Sequence, residues 1–103
     1  MTKIPPVSAR REAAEAIAVQ ALVYLGGDPD RLSRFLALSG IEAADLRAAA
    51  AQPGFLVGVL DHLAADEALL TAFAEEAGIL PGDVGRAYAE LTGGTTPGQR
   101  DMP

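Results

Sequence analysis

An internal similarity at an offset of 38 residues is the feature that most constrains how this chain can fold. Segment 17–49 matches segment 55–87 at ten of 33 positions without a gap, and only one of these identities is an alanine although alanine is abundant. Similarity at a fixed period is typical of a duplicated structural unit. The sequence therefore predicts two tandem repeats, at about residues 8–51 and 53–91.

Helix start and stop signals recur inside each predicted repeat. Asp28 and Asp66 are expected to begin the second helix of each repeat, because a carboxylate there accepts hydrogen bonds from free backbone N–H groups. Gly40 and Gly78 are expected to end that helix, because glycine tolerates the left-handed backbone that closes a helix. The isoleucine after each glycine is expected to fold back onto the last turn. Each repeat is thus predicted to contain three helices.

The stretch ILPGD, residues 79–83, has two possible interpretations. It resembles part of a helix-hairpin-helix motif, which holds a nucleic-acid backbone through glycine amides. That motif places one residue between its two glycines, whereas Gly82 and Gly85 have two residues between them. Pro81 suits the first position of a helix and Asp83 the third. We therefore interpret the stretch as a helix start and do not expect nucleic-acid binding.

The pattern of apolar residues predicts an all-α fold. Alanine and leucine dominate, which favours helices, and no segment shows the alternation of a strand. The first helices of the repeats, at about 8–25 and 53–64, are apolar nearly all round and are predicted to form a buried central pair. We expect a compact six-helix bundle in one domain, residues 1–92, followed by a flexible tail, residues 93–103. A short open stack of helices is the alternative arrangement.

Each half of the bundle is expected to depend on the other. A unit of about 37 residues is too small to be stable alone, because it buries too little of its surface. The two repeats are therefore predicted to bury their central helices against each other, around a pseudo-twofold axis.

Composition bounds the cellular setting and the available chemistry. The chain has no cysteine, which excludes disulfides, zinc–thiolate sites and thiol nucleophiles and suits a reducing compartment. No apolar run approaches the roughly 18 residues that a membrane helix requires. The N-terminal residues lack the apolar segment of a signal peptide. The sequence predicts a cytoplasmic protein with no membrane contact.

The charge is distributed unevenly along the chain. Residues 1–52 contain six basic and six acidic side chains, whereas residues 53–103 contain two basic and eight acidic ones, for a net charge of −6. Such a surface repels phosphate and attracts basic partners. The alternative interpretation is a solvated acidic face that keeps the protein in solution.

No motif predicts an enzyme, a metal site or a cofactor. His62 is the only histidine, and a metal site needs three or four converging ligands. It is interpreted as a surface or boundary residue, matching Tyr24 in the first repeat. Glu75 and Glu76 are adjacent, so on a helix they point about 100° apart and do not form a catalytic pair. We expect no catalytic residue, no cofactor and no metal.

Three arginines in the first repeat have two possible roles. Arg31, Arg34 and Arg47 either form a basic patch or pair with nearby aspartates, and such surface pairs contribute little stability. A basic patch at one end and acidic residues at the other would permit head-to-tail self-association.

The leading hypothesis is a non-enzymatic helical module that binds another protein. Val23, Tyr24 and Leu38 lie off the best core stripes, so they either line a groove or pack in the core. The predicted interaction residues are Val23, Tyr24, Leu38, Asp61, Glu75 and Glu76. The expected partner is a basic protein or a second copy of the chain. The alternative function is a small-ligand pocket between the two repeats.

The segments RFLALSGIEAADLR and DEALLTAFAEEAGI carry a resemblance to a known family. The chain resembles, over about residues 13–91, a family of small alphaproteobacterial proteins known only as a domain of unknown function. The resemblance implies a helical bacterial cytoplasmic protein and supplies no catalytic residues.

Overall fold

The chain forms six α-helices and one short 3-10 turn within residues 7–52 and 54–93, which are the residues that the computed structural model describes. No strand occurs in these residues, which confirms the predicted all-α fold. The predicted tail, apart from Gly93, lies outside them. The helices are α1 (Val7–Gly26), α2 (Pro29–Ser39), α3 (Leu46–Ala50, preceded by the 3-10 turn Ala43–Asp45), α4 (Phe55–Ala64), α5 (Glu67–Ala77) and α6 (Pro81–Leu91).

The two predicted aspartate caps begin α2 and α5. Asp28 Oδ1 accepts a hydrogen bond from the Asp30 N–H at 2.9 Å, and Asp66 Oδ1 accepts one from the Leu69 N–H at 3.1 Å. Both aspartates have extended backbone angles and stand immediately before the first helical turn. They satisfy N–H groups that have no partner inside the helix.

The two predicted glycine caps end α2 and α5 in the same way. Gly40 has φ 74° and Gly78 has φ 73°, both in the left-handed region. The isoleucine after each glycine donates its N–H to the carbonyl five residues earlier, at 3.1 Å and 3.0 Å. This is the Schellman arrangement, and it confirms the prediction for both helix ends.

The ILPGD stretch is a helix start, as predicted. Pro81 is the first residue of α6, and the Asp83 carboxylate accepts a hydrogen bond from the Leu80 N–H at 3.0 Å. Gly82 and Gly85 both lie inside α6. They therefore do not form the hairpin that the alternative interpretation required.

The buried face of α1 consists mainly of alanines. This helix packs most extensively against α6 and next against α4. The prediction that α1 is buried all round is wrong, because Val19 is 47% exposed and Val23 is 68% exposed. Alanine allows two helix backbones to approach closely, so the face with the smaller side chains turns inward. Its buried residues are Ala14, Ala18, Ala21 and Leu25.

A third helix joins the predicted central pair. α4 and α6 pack against each other as well as against α1, and α6 buries Val84, Ala87 and Leu91. By contrast, α3 buries no residue. Residues 50 and 53, which precede Tyr88 and Leu91 by 38 positions, are alanine and proline. The segment around α3 thus lacks counterparts of Tyr88 and Leu91, whereas Leu46 and Ala49 correspond to Val84 and Ala87.

The core of the described residues is entirely apolar. No polar or charged side chain in this part of the chain is buried. Each helix there is too short or too polar to cross a lipid bilayer.

Candidate functional site

An open groove lies between α1 and α5. Val19 and Val23 are one helical turn apart on α1 and form its exposed apolar wall. Tyr24 and Phe73 also line the groove, and Ala77 contributes a small side chain from α5. The groove has a volume of about 520 Å³. We call it the α1–α5 groove.

Two aromatic rings hold the floor of the α1–α5 groove in place. The ring centroids of Tyr24 and Phe73 lie 5.5 Å apart, with the ring planes tilted by 59°. This geometry is favourable for aromatic pairs. Phe73 is only 1% exposed, so the floor is continuous with the hydrophobic core.

Arg31 closes one side of the groove and is already engaged. Its guanidinium carbon lies 4.0 Å from the centroid of the Tyr24 ring. Its Nη1 donates a hydrogen bond to the main-chain oxygen of Tyr24 at 2.9 Å, and its Nη2 lies 3.8 Å from Asp28 Oδ2. These contacts fix Arg31 as part of the wall.

Glu76 is the acidic group of the groove. It is exposed, and its carboxylate has no hydrogen-bonding or ionic partner among the described residues. It lies in the last turn of α5 beside Glu75, and that turn contains no basic residue. A helix C-terminus carries partial negative charge, so carboxylates there are electrostatically unfavourable. A cation at this end of the groove would offset that unfavourable interaction.

Half of the predicted interaction residues meet in the α1–α5 groove. They are Val23, Tyr24 and Glu76. Val23 and Tyr24 came from the search for apolar residues off the core stripes, and Glu76 came from the acidic second half of the chain. Tertiary packing between α1 and α5 brings them together.

The other three predicted interaction residues lie apart from this groove. Leu38 is 68% exposed and lines a different groove, next to His62. Asp61 and Glu75 are exposed, and neither lines the α1–α5 groove. The structure therefore does not bring Leu38 together with Val23 and Tyr24.

His62 lies at the edge of the core and lines the same groove as Leu38. Its ring meets the Phe35 ring edge-on, with centroids 5.1 Å apart. Burial lowers the pKa of His62, and the positive charge of Arg34 lowers it further. Asp66 and Asp61 act in the opposite direction without reversing the shift. The ring is half-buried, as expected for a boundary histidine.

The three arginines do not form one patch. Arg31 and Arg34 line a common groove beside His62, whereas Arg47 lies beside Leu22 on a separate surface. Arg31 is paired with an aspartate, as the alternative interpretation proposed. No cluster of three or more metal-binding side chains occurs in residues 7–52 and 54–93.

The groove residues that sequence reasoning missed include Val19 of α1 and Gly27, which directly follows that helix. Val19 was assigned to the buried core, and Gly27 was not considered. One signal for Val19 was available in the sequence. Val19 and Val23 are four residues apart, so they share a face, and that face differs from the alanine face at Ala14, Ala18 and Ala21.

The fold and the groove define a small all-helical protein with an open, mainly apolar surface groove. The chain belongs to the family described as "Protein of unknown function (DUF3572)", whose family model matches residues 11–94. That match confirms the resemblance to a family of unknown function and includes every residue of the α1–α5 groove. No curated protein matches the chain, and no solved structure matches it.

Proposed function

We propose that this protein is a non-enzymatic helical module that binds another protein through the α1–α5 groove. The observation that carries the proposal is the exposure of Val19 and Val23 beside the aromatic floor of the groove. Single exposed apolar residues are common on protein surfaces, but a continuous apolar patch marks an interaction surface. Leu38 and Leu80 are also exposed, but neither lines this groove.

The charge of the groove favours a basic partner. Glu76 is the acidic group available to a bound protein, and the second half of the chain carries all the net negative charge. Complementary charge accelerates association and selects among partners. We therefore propose that the partner presents apolar anchors together with lysine or arginine.

A small-molecule ligand is the alternative occupant. The volume of about 520 Å³ falls within the range of roughly 300–1,000 Å³ typical of ligand sites. Ligand sites, however, enclose most of the ligand and present converging polar groups. This groove is open along its length, and Arg31 is already occupied by Tyr24 and Asp28. These features favour a protein.

Photo-crosslinking in the source cells tests the proposal. A benzophenone amino acid replaces Val23 in one variant and Leu38 in the matched control, since both side chains are 68% exposed. We expect a protein adduct at position 23 that Val19→Asp abolishes, and no such adduct at position 38. An adduct with a second copy of the chain would identify a homodimer instead. Equal labelling at both positions, or no adduct at position 23, would contradict the proposal.

We also propose that the fold arose from a tandem duplication. The aspartate and glycine caps of α2 recur 38 residues later in α5, which supports this proposal. The ring contacts are also reciprocal, because Tyr24 packs on Phe73 and His62 packs on Phe35. Under this proposal, the third helices have diverged, because α6 buries residues in the core and α3 buries none. Fragments 1–52 and 53–103, measured separately by circular dichroism, should show little helix. A fragment that melts cooperatively by itself would contradict mutual dependence.

The proposed setting is the bacterial cytoplasm. The chain contains no cysteine, as suits a reducing compartment. Fractionation of the source cells, with immunodetection of the untagged protein, tests this part of the proposal. Recovery in the membrane or extracellular fraction would contradict it.

A further inference from the structure

We infer that the α1–α5 groove binds an amphipathic helix that carries a lysine or arginine opposite Glu76. This inference rests on the proposed function, because it specifies the partner of the same groove. Four features of the groove support it: the polar groups it offers, its length, its small residues and its charge.

The groove offers few polar groups to a bound backbone. Its walls are helices whose own backbone groups are hydrogen-bonded internally, and Arg31 is engaged with Tyr24 and Asp28. Gln20 and Glu76 remain available from the two walls. An extended segment needs partners for its N–H and C=O groups, whereas a helix satisfies them itself. A helix is therefore the conformation that this surface accommodates best.

The length of the groove matches two turns of helix. Val19 and Val23 of α1 and Gly27, the residue directly after that helix, are spaced four positions apart and all line the groove. Eight residues of helix span about 12 Å, or roughly two turns. A bound helix covers that distance with apolar side chains at positions i, i+4 and i+7.

Small residues on both walls leave room for close approach. Gly27 lies on one wall and Ala77 on the other. Gly27 does not have a positive φ, and an added Cβ would lie 3.5 Å from the Val23 carbonyl oxygen and 3.6 Å from that of Tyr24. Both distances are ordinary contacts, so the fold itself does not require glycine at this position. A glycine that the fold does not need allows a partner's backbone to come near.

The acidic end of the groove fixes the position of the partner's cation. Glu76 and the C-terminus of α5 both carry negative charge, and no basic residue in the last turn of that helix neutralises it. A lysine or arginine opposite Glu76 would interact favourably with both. The position of this lysine or arginine along the bound helix would therefore determine the register in which the helix lies in the groove.

Selection from a random peptide library tests the inference on the intact protein. The probe is a displayed library of about 16 residues, roughly four helical turns. Clones that bind the wild-type chain and lose binding to Val23→Asp are sequenced. We expect apolar residues spaced three or four apart together with at least one lysine or arginine. Circular dichroism of the synthesised peptides should show helix formation on binding.

Matched variants then locate the bound helix. Glu76→Gln should weaken a selected peptide about two- to fivefold, as for an exposed ion pair, and added salt should reduce that difference. Gly27→Leu should weaken it about tenfold or more, through steric overlap. Gly26→Leu is the control, because residue 26 does not line the groove; it should change affinity less than about twofold. Gly27→Ala should cause an intermediate loss of affinity. It tests the same position if the leucine variant does not fold.

Two outcomes separate this inference from the proposed function. Binders that depend on Val23 but are extended, proline-rich or acidic would overturn the inference and leave protein binding at the groove intact. A library in which no binder depends on Val23 would overturn both.

Discussion

Tyr24 of α1 packs against Phe73 of α5 with 5.5 Å between the ring centroids. Thirty-eight residues further along, His62 of α4 makes the corresponding contact with Phe35 of α2, at 5.1 Å. Each contact joins the first half of the chain to the second. Both phenylalanines are 1% exposed, so these two contacts extend the core to the surface grooves beside them.

The Tyr24–Phe73 contact should be measurable as a coupling energy. Phe73→Leu and Tyr24→Leu, alone and combined, form a double-mutant cycle. We expect a coupling of about 0.5–1.5 kcal/mol in the free energy of unfolding by urea. The lost stack of Arg31 on Tyr24 occurs in both arms of the cycle and cancels. A coupling below about 0.3 kcal/mol would mean that the rings contribute independently.

Two glycine-to-alanine substitutions should change the stability of the protein in opposite directions. Gly78→Ala places a Cβ on a left-handed backbone with φ 73°, which should cost about 1–2 kcal/mol. Gly85→Ala lies on the exposed side of α6 with no atom within 4 Å of the new Cβ, and it should stabilise by about 0.5–1 kcal/mol. Thermal melts of the two variants check this. Destabilisation by Gly85→Ala would mean that α6 does not extend through this residue.

Neighbouring residues on α1 should respond differently to enlargement. Ala18 is fully buried and Val19 is 47% exposed. Ala18→Leu should destabilise by about 1–3 kcal/mol, because the added atoms push α1 away from its neighbours. Val19→Leu should change stability by less than about 0.5 kcal/mol. Urea unfolding measures the change in stability for each variant. A larger loss for Val19→Leu than for Ala18→Leu would show that the valine face of α1 is buried.

His62 should make stability depend on pH. Burial and Arg34 lower its pKa in the folded protein below the ordinary value, so the unfolded chain binds the proton more readily. Its contribution to stability is therefore complete above about pH 6.5 and is lost as the pH falls through the lower folded pKa. The neighbouring Asp61, Asp66 and Glu67 are common to the wild type and to the variant His62→Gln, which isolates the histidine.

The measurement compares the free energy of unfolding of wild type and His62→Gln at about pH 7.5 and about pH 5.5. The wild type should lose stability relative to the variant at the lower pH. A relative gain on acidification would mean that Asp66 and Asp61 dominate the environment of His62 and raise its pKa.

The ends of α2 and α5, the start of α6 and the all-α class could be predicted from the sequence. Asp28, Asp66, Gly40 and Gly78 act on backbone groups within a few residues of themselves. Such signals are local, so they can be recognised without knowledge of the neighbouring helices. Membership of a family of unknown function also followed from sequence segments alone.

Tertiary structure decided which side of each helix faces the core and where the groove lies. Val23 and Glu76 are 53 residues apart and meet only because α1 and α5 lie side by side. Ala18 is buried and Val19 is exposed because close approach of α1 to α4 and α6 selects the smaller side chains. Hydrophobicity by itself ranks valine above alanine for the core. In this protein the close approach of the helix backbones favours alanine over valine in the core. That distance depends on all the packed helices together.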